Sequence, residues 1–387
     1  MSPTANRAVN TAVNIGDLQR LARRRLPRPI YDLVEGGADD EITMADNRGA
    51  FDRYRLAARA FSKGAGRPDT SLTLLGQRLS WPVMLAPTGA ARVLHRDAEL
   101  AVGRAARSRD TGYVHGVVSG HPLAQVSAAE PAPLWLQLYL SSDRDELSAV
   151  IQEARDCRVH ALVVTVDMPV IGNRERDRRH GLTVPMRPTV KTVAQCLAHP
   201  RWGIDFLRGN LPQSSPLDGR SSPFSTQRQI LRSAYPVQLE DLEFVRASWD
   251  GPLLVKGILQ GEDCRLAVAA GADGVIVSNH GGRQLDRAPA TLAVLPEIVR
   301  AADERTVVLL DGGVRRGTDV LIALASGADA VLIGRPYLYG LAAGGQAGVE
   351  RAIDILRIEM ERAMALMGLA TIDALDPSCL IPRRPAG

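Results

Sequence analysis

His280 follows an apolar run and precedes two glycines, in the segment DGVIVSNHGGRQLD over 273–286. A lone histidine is more often structural than catalytic, but one between a buried strand and a Gly-Gly turn is lifted over the strand end, where it could move a proton near neutral pH. The other six histidines have no such setting. Two further apolar runs end in glycine and arginine, at Asp311-Gly312-Gly313-Val314-Arg315 and at Gly334-Arg335. Glycine lets backbone N–H groups approach an anion, and arginine adds charge-assisted, often bidentate bonds, so a phosphate-bearing cofactor is the natural guest. Glycine also ends strands for steric reasons, and it is the two segments together that carry weight. The remaining runs end in or carry Pro87-Thr88-Gly89, Gln137 and Tyr139, Thr165 and Asp167, Lys256, and Ser278.

The runs themselves are WPVMLAP (81–87), TGYVHG (111–116), LWLQLY (134–139), ALVVTVD (161–167), LLVKG (253–257), DGVIVSN (273–279), TVVLLDGG (306–313) and DAVLIGR (329–335). Helical patterns lie between them, at 97–108, 143–156, 262–270, 289–302 and 317–326, several opened by Asp, Ser or Thr and closed by Gly. Such alternation predicts parallel strands covered on both faces. Eight repeats with no GxGxxG after the first favour closure into a (β/α)8 TIM barrel, fold class α/β, over an open doubly wound sheet. In a barrel of this kind active residues project from the C-terminal strand ends, and the loops after strands seven and eight recurrently hold phosphate. Both Gly-Arg segments fall there.

Strand four starts at 161 and strand five at 253, which implies an insertion of about 168–236 after strand four. Its second half, LPQSSPLDGRSSPFSTQRQ, has the Ser/Pro/Gly content of a mobile loop. Residues 17–54 read as helices that cap the barrel, residues 1–16 as a flexible N-terminal tail, and 17–387 as one domain. The 387 residues suit one barrel with insertions; 45% hydrophobic and 23% charged residues fit a globular chain with a large core.

The charge of +4 comes from 47 basic and 43 acidic residues that are interleaved, and aromatics are only 4%, which argues against a nucleic-acid surface. Cys157, Cys196, Cys264 and Cys379 form no CxxC pair, so neither a metal site nor a disulfide framework is indicated. A cytoplasmic location fits best. No apolar run reaches the roughly 18 residues of a membrane span, and the N-terminus lacks an apolar signal core.

The motifs VKGIL (255–259), SNHGGRQLD (278–286), LLDGGVRRGTDV (309–320) and IGRP (333–336), with LPRPIYDLVEGGADDE (26–41) and QLY (137–139), closely resemble the FMN-dependent 2-hydroxy-acid oxidase and dehydrogenase family, which includes glycolate oxidase and bacterial L-lactate and mandelate dehydrogenases. The similarity runs over about 17–380. It implies oxidation of a small (S)-2-hydroxy acid to the 2-oxo acid on FMN, with His280 as base partnered by Asp167, Arg283 and Arg174 on the substrate carboxylate, and Tyr139 on the substrate oxygen. It places Pro87, Thr88 and Gly89 at the flavin N5 side, Gln137, Thr165 and Ser278 on the cofactor, and Lys256 at N1 and O2. Asp311 falls on the ribityl chain, and Gly312, Gly313, Arg315, Gly334 and Arg335 fall at the phosphate. A homotetramer is implied too. The expected electron acceptor is oxygen or a quinone, a choice set by access near N5.

Three departures matter. Leu33 follows the Tyr31-Asp32 pair where the family has a tyrosine, Gly116 replaces a flavin-contacting serine, and Val118 replaces an aromatic. They make the pocket less polar and roomier, which leans toward a larger aromatic or branched substrate such as mandelate. Gly89 and GNRERD (172–177) also resemble mandelate dehydrogenase. Residues 187–208 mix basic with apolar residues as a surface-lying amphipathic helix does, and some relatives attach to membranes through this region; packing on the protein itself or a neighbouring subunit is the stronger reading. Two competing functions are a same-family flavoenzyme acting on an amine or a secondary-metabolite intermediate, and a non-catalytic flavin-binding barrel. The Arg174 and Arg283 pair argues against the first, and intact His280, Asp167 and Lys256 against the second.

Overall fold

The computed structural model describes residues 3–60, 66–89, 91–129, 133–182, 189–208 and 234–383. Eight parallel strands close a barrel: β1 Val83–Leu85, β2 Gly112–Gly116, β3 Leu134–Tyr139, β4 Ala161–Thr165, β5 Leu253–Ile258, β6 Gly274–Val277, β7 Val307–Asp311 and β8 Ala330–Ile333. Consecutive strands pair throughout, and β8 pairs with β1 to complete the ring. All eight runs expected from the sequence are barrel strands, and the five expected helices follow theirs within two residues at each end.

Alternation along each strand explains why one barrel supplies both a core and a site. Met84, Val114, Trp135, Val163, Leu254, Ile276, Leu309 and Leu332 fill the interior. Two residues further along each of the later strands the same inward parity delivers Gln137, Thr165, Lys256, Ser278 and Asp311. The lower end is plugged by a hairpin, Leu72–Leu74 with Gln77–Leu79, whose Leu74 and Leu79 join the interior cluster. Strand residues of the other parity, such as Tyr113, Leu136, Val164 and Val275, pack outward against the helices. Burying each large side chain there stabilises the fold by roughly 1.5–3 kcal/mol.

Four helices precede the barrel: α1 Pro3–Asn10, α2 Ile15–Arg25, α3 Arg28–Glu35 and α4 Ile42–Gly49. The flexible tail expected over 1–16 needs correction. Pro3–Asn10 is helical, and Val9, Ala12 and Ile15 are buried in the main core against the C-terminal helix. A partner more than 300 residues away in the chain supplies the apolar surface that an isolated eight-residue helix lacks.

The expected single helix over 187–208 is two, α5 Val190–Leu197 and α6 Pro200–Arg208, because Pro200 cannot continue the first; residues 187–188 lie outside the described residues. Helix α6 docks on the barrel. Trp202 is buried and donates from Nε1 to the Val93 carbonyl at 2.8 Å, and Asp205 pairs with Arg25 at 3.3 Å. The opposite faces leave Val190, Val193, Leu197, Ile204 and Leu207 exposed. The loop expected over LPQSSPLDGRSSPFSTQRQ lies outside the described residues. Among the described residues no helix is long and apolar enough to cross a membrane.

The last helix, α7 Arg335–Met367, starts directly after β8 and bends at Gly344 and Gly345. A short strand Tyr54–Leu56 pairs antiparallel with Leu380–Pro382, joining the cap to the chain's far end.

Candidate active site

The site lies at the C-terminal mouth of the barrel. Strand β5 ends in a register shift between Lys256 and Ile258, with Gly257 at φ +111. A Cβ at Gly257 would come within 2.6 Å of the Asp167 side chain, so glycine is what lets the ends of β4 and β5 approach. Lys256 is buried; its Nζ donates to Ser278 Oγ at 2.8 Å and lies 3.2 Å from Asp311 Oδ2. Burial pushes this ammonium down, but the Asp311 and Asp167 carboxylates outweigh it and raise its pKa above the ordinary lysine value. It is therefore a permanent buried cation with one N–H still to place. Beside it Gln137 Nε2 donates to Thr165 Oγ1 at 3.0 Å.

His280 Nδ1 meets Asp167 Oδ1 at 3.1 Å. With that nitrogen donating to a carboxylate, Nε2 keeps its lone pair. Burial lowers the His280 pKa below the ordinary 6.5, Asp167 recovering only part, so the ring is neutral at pH 7. Burial also pushes the Asp167 carboxyl up, but His280, through charge and hydrogen bond, and then Lys256 prevail and hold it below the usual range.

His280, Gly281 and Gly282 are all left-handed, with φ of 57, 66 and 74°. The histidine's share of that strain is about 1–2 kcal/mol. Gly282 is required by close approach, since a Cβ there would lie 2.7 Å from Met44 N of α4.

The two arginines arrive on loops that are zipped together. Gln284 Nε2 donates to the Asp167 and Val170 carbonyls at 3.0 and 2.9 Å, and Gly172 N donates to Gln284 Oε1 at 3.1 Å. This brings Arg174 and Arg283 into mutual electrostatic range, with Tyr139 and the buried Asp177 beside them. Arg283 donates to the Gly36 carbonyl at 2.7 Å, and burial followed by the fields of Arg174 and Arg335 lowers its pKa well below the ordinary value. Three buried polar atoms here have no hydrogen-bond partner among the described residues: Asp167 Oδ2, Arg174 Nε and Asp311 Oδ1. Orphaned donors and acceptors of both signs, facing one mouth, are what a polar guest would satisfy.

At the phosphate-type loops Gly312 and Gly313 are left-handed and lie against Asn47, and Gly334 caps the N-terminus of α7, whose free N–H groups favour an anion. The Arg315 guanidinium stacks 5.9 Å over Tyr339. Arg335 is placed differently from a simple anion ligand: Nε, Nη1 and Nη2 donate to the carbonyls of Val34, Gly281 and Gly36 at 3.1, 2.9 and 3.0 Å. It ties α3 and the His280 loop to α7, and a second N–H on each terminal nitrogen remains.

Pro87, Thr88 and Gly89 follow β1, with Thr88 Oγ1 bonded to Tyr337 Oη at 2.6 Å. The Gly116 position is lined on three sides: a Cβ there would sit 3.4 Å from Gln137 Oε1 and 3.8 Å from both Pro87 and Ser119 Oγ. A hydroxyl is thus supplied at this corner by Ser119, three residues later.

The sequence profile of the FMN-dependent dehydrogenase family matches residues 22–382. This chain belongs to that family. A putative L-lactate dehydrogenase of Mycobacterium tuberculosis is 37% identical over 387 residues, covering 99% of this chain and 92% of the relative. Human 2-hydroxyacid oxidase 1 is 39% identical, with 96% of each chain covered. The solved structure of a monotopic membrane protein, (S)-mandelate dehydrogenase, superposes with a TM-score of 0.90 at 36% identity, over 96% of this chain and 100% of that one. The chain is therefore an FMN-dependent oxidoreductase acting on 2-hydroxy acids. The donor set at the mouth of this FMN-dependent dehydrogenase fits the cofactor: a buried lysine, orphaned carboxylate atoms, a glycine cradle and a helix N-terminus.

Sequence reasoning missed Asn47, Asn279, Asp177, Ser119 and the Gly36 carbonyl. Asparagine reads as a turn or cap residue, and a backbone carbonyl leaves no signal in residue type.

Proposed function

We propose that the enzyme oxidises an (S)-2-hydroxy acid with an aromatic or branched side chain to the 2-oxo acid. The observation that carries this reading is the convergence of His280–Asp167 with the guanidinium groups of Arg174 and Arg283, one of them with an unsatisfied buried Nε. Two cations facing one site call for an anionic substrate group, which disfavours an amine. Arg174 and Arg283 bind the carboxylate, and Tyr139 orients the hydroxyl. His280 Nε2 accepts a proton from the substrate, and Asp167 stabilises the imidazolium that results. FMN supplies the two-electron acceptor.

Lys256 would be the fixed positive charge beside the flavin N1–O2 edge. Pro87, Thr88, Gly89, Gln137, Thr165 and Ser278 would hold the ring, Asp311 the ribityl chain, and Gly312, Gly313, Arg315, Gly334 and Arg335 the phosphate. Leu33, where the family has a tyrosine, supports a bulkier, less polar substrate than glycolate. The reading extends to a cytoplasmic homotetramer with oxygen or a quinone as acceptor.

Anaerobic mixing of the FMN-loaded enzyme with glycolate, L-lactate, a branched 2-hydroxy acid and (S)-mandelate tests the substrate. Flavin bleaching should be fastest with mandelate or the branched acid and slowest with glycolate; bleaching by none of them would discard the reaction, and glycolate leading would discard the size argument. Readmitting oxygen or a quinone then separates the acceptors.

The pH dependence follows from the lowered His280 pKa. A base must be unprotonated, so kcat/KM should rise through a midpoint below 6.5 and level off above it. A midpoint above 6.5 would contradict His280 as the base.

A further inference from the structure

We propose that Asn47 and Asn279 form a buried amide clasp that positions His280, making both positioning residues for proton removal. This rests on reading His280 as the base. Both side chains are buried. Asn47 Nδ2 donates to Asn279 Oδ1 at 2.8 Å, and Asn279 Nδ2 returns a bond to Asn47 Oδ1 at 2.9 Å.

The rest of each amide is engaged on the two sides of the site. Asn279 Oδ1 accepts from Gly282 N at 3.1 Å, across the left-handed turn that carries His280, and its Nδ2 donates to the Pro289 carbonyl at 3.0 Å. Both acceptor and both donor positions of Asn279 are thereby used. Asn47 Oδ1 also accepts from Thr291 N at 3.1 Å, while Thr291 Oγ1 donates to the Asp311 carbonyl at 2.6 Å. A continuous polar chain thus runs from the His280 turn, through α4, to the end of β7. Three successive left-handed residues with no side-chain bulk at two of them would not keep one geometry unaided. The clasp closes the turn from inside, and α4 braces it from outside by its approach to Gly282.

The charged and titratable groups that face His280 are Asp167 and Arg174 after β4 and Lys256 on β5, with Tyr139 and Arg283 completing the cluster. Of these, Asp167 is the partner that raises the imidazole's proton affinity. A turn that loosens changes both the burial of His280 and its bond to Asp167, the two largest influences on its proton affinity.

The test uses FMN-loaded Asn47→Leu, which has similar bulk and no amide, and Asn47→Gln, which keeps an amide able both to donate to Asn279 and to accept from Asn279 and Thr291. In Asn47→Leu, hydrogen exchange of the 278–286 peptide should speed up roughly tenfold with FMN retained. Its kcat should fall about tenfold with KM within twofold, and the acid limb of kcat/KM should shift from its wild-type position. Asn47→Gln should restore most of each. Unchanged exchange and an unmoved limb in Asn47→Leu would overturn the proposal, as would equal damage in both variants. Where Asn47→Leu does not fold, Asn47→Ser is read by the same criteria. His280→Gln separates the two claims: substantial turnover in it defeats the base assignment, whereas an inactive His280→Gln beside a wild-type Asn47→Leu defeats the clasp alone.

Discussion

His280→Gln should reduce anaerobic flavin bleaching by 2-hydroxy acids about 10²- to 10⁴-fold, the range that a positioned general base contributes. Glutamine keeps a donor for Asp167 but offers no basic nitrogen, so the loss isolates proton removal from geometry. Folding should survive, because the strain of the left-handed φ of 57 is borne by the surrounding contacts. FMN should stay bound, since the His280 side chain bonds only to Asp167 among the described residues, and Asp167 is not one of the proposed cofactor contacts. Absorbance after gel filtration measures cofactor retention, and stopped-flow bleaching measures chemistry. A variant that bleaches within a few-fold of wild type would remove His280 from its role.

Arg283→Lys should lower kcat/KM by about 10²-fold, near 3 kcal/mol at 1.4 kcal/mol per tenfold. Part of that is geometric, because an ammonium cannot reproduce the planar fork that matches a carboxylate. The larger part is electrostatic. Burial and the fields of Arg174 and Arg335 press down hard on any cation at this position. Arginine stays charged; lysine starts lower, at about 10.4, and is more readily neutralised under the same pressure. The defect should therefore deepen as pH rises from 6 to 9, whereas wild type stays flat over 7 to 9. A pH-independent defect would assign the loss to geometry alone, and an unchanged kcat/KM would take Arg283 off the substrate. The Gly36 carbonyl keeps Arg335 as a donor at 3.0 Å, so the scaffold should not suffer.

The barrel was legible because strands buried on both faces must be nearly continuous apolar runs, and the polar residues that interrupt them two positions beyond a core residue mark the mouth. Lys256 after Leu254 and Ser278 after Ile276 are examples. What stayed hidden depends on long-range contact. Nothing in PTANRAVN predicts helix α1; the burial of Val9 against α7 decides it. The break between α5 and α6 was readable at Pro200, but the charge and basic-apolar mixture of 187–208 suggested a longer element. Asn47, far from any motif assigned a role, acquires one only when α4 folds over the mouth.

Closure of the barrel has a consequence for chain integrity. Strands β4 and β5 are hydrogen-bonded neighbours although the insertion separates them, and the ring is sealed again where β8 meets β1. With Tyr54–Leu56 also bound to Leu380–Pro382, a chain severed between Thr165 and Leu253 would yield two halves interlocked at three seams. Each half would carry part of the catalytic equipment, Tyr139 and Thr165 on one, His280 and Arg283 on the other, so the pieces should reassemble as a split enzyme from separately expressed fragments.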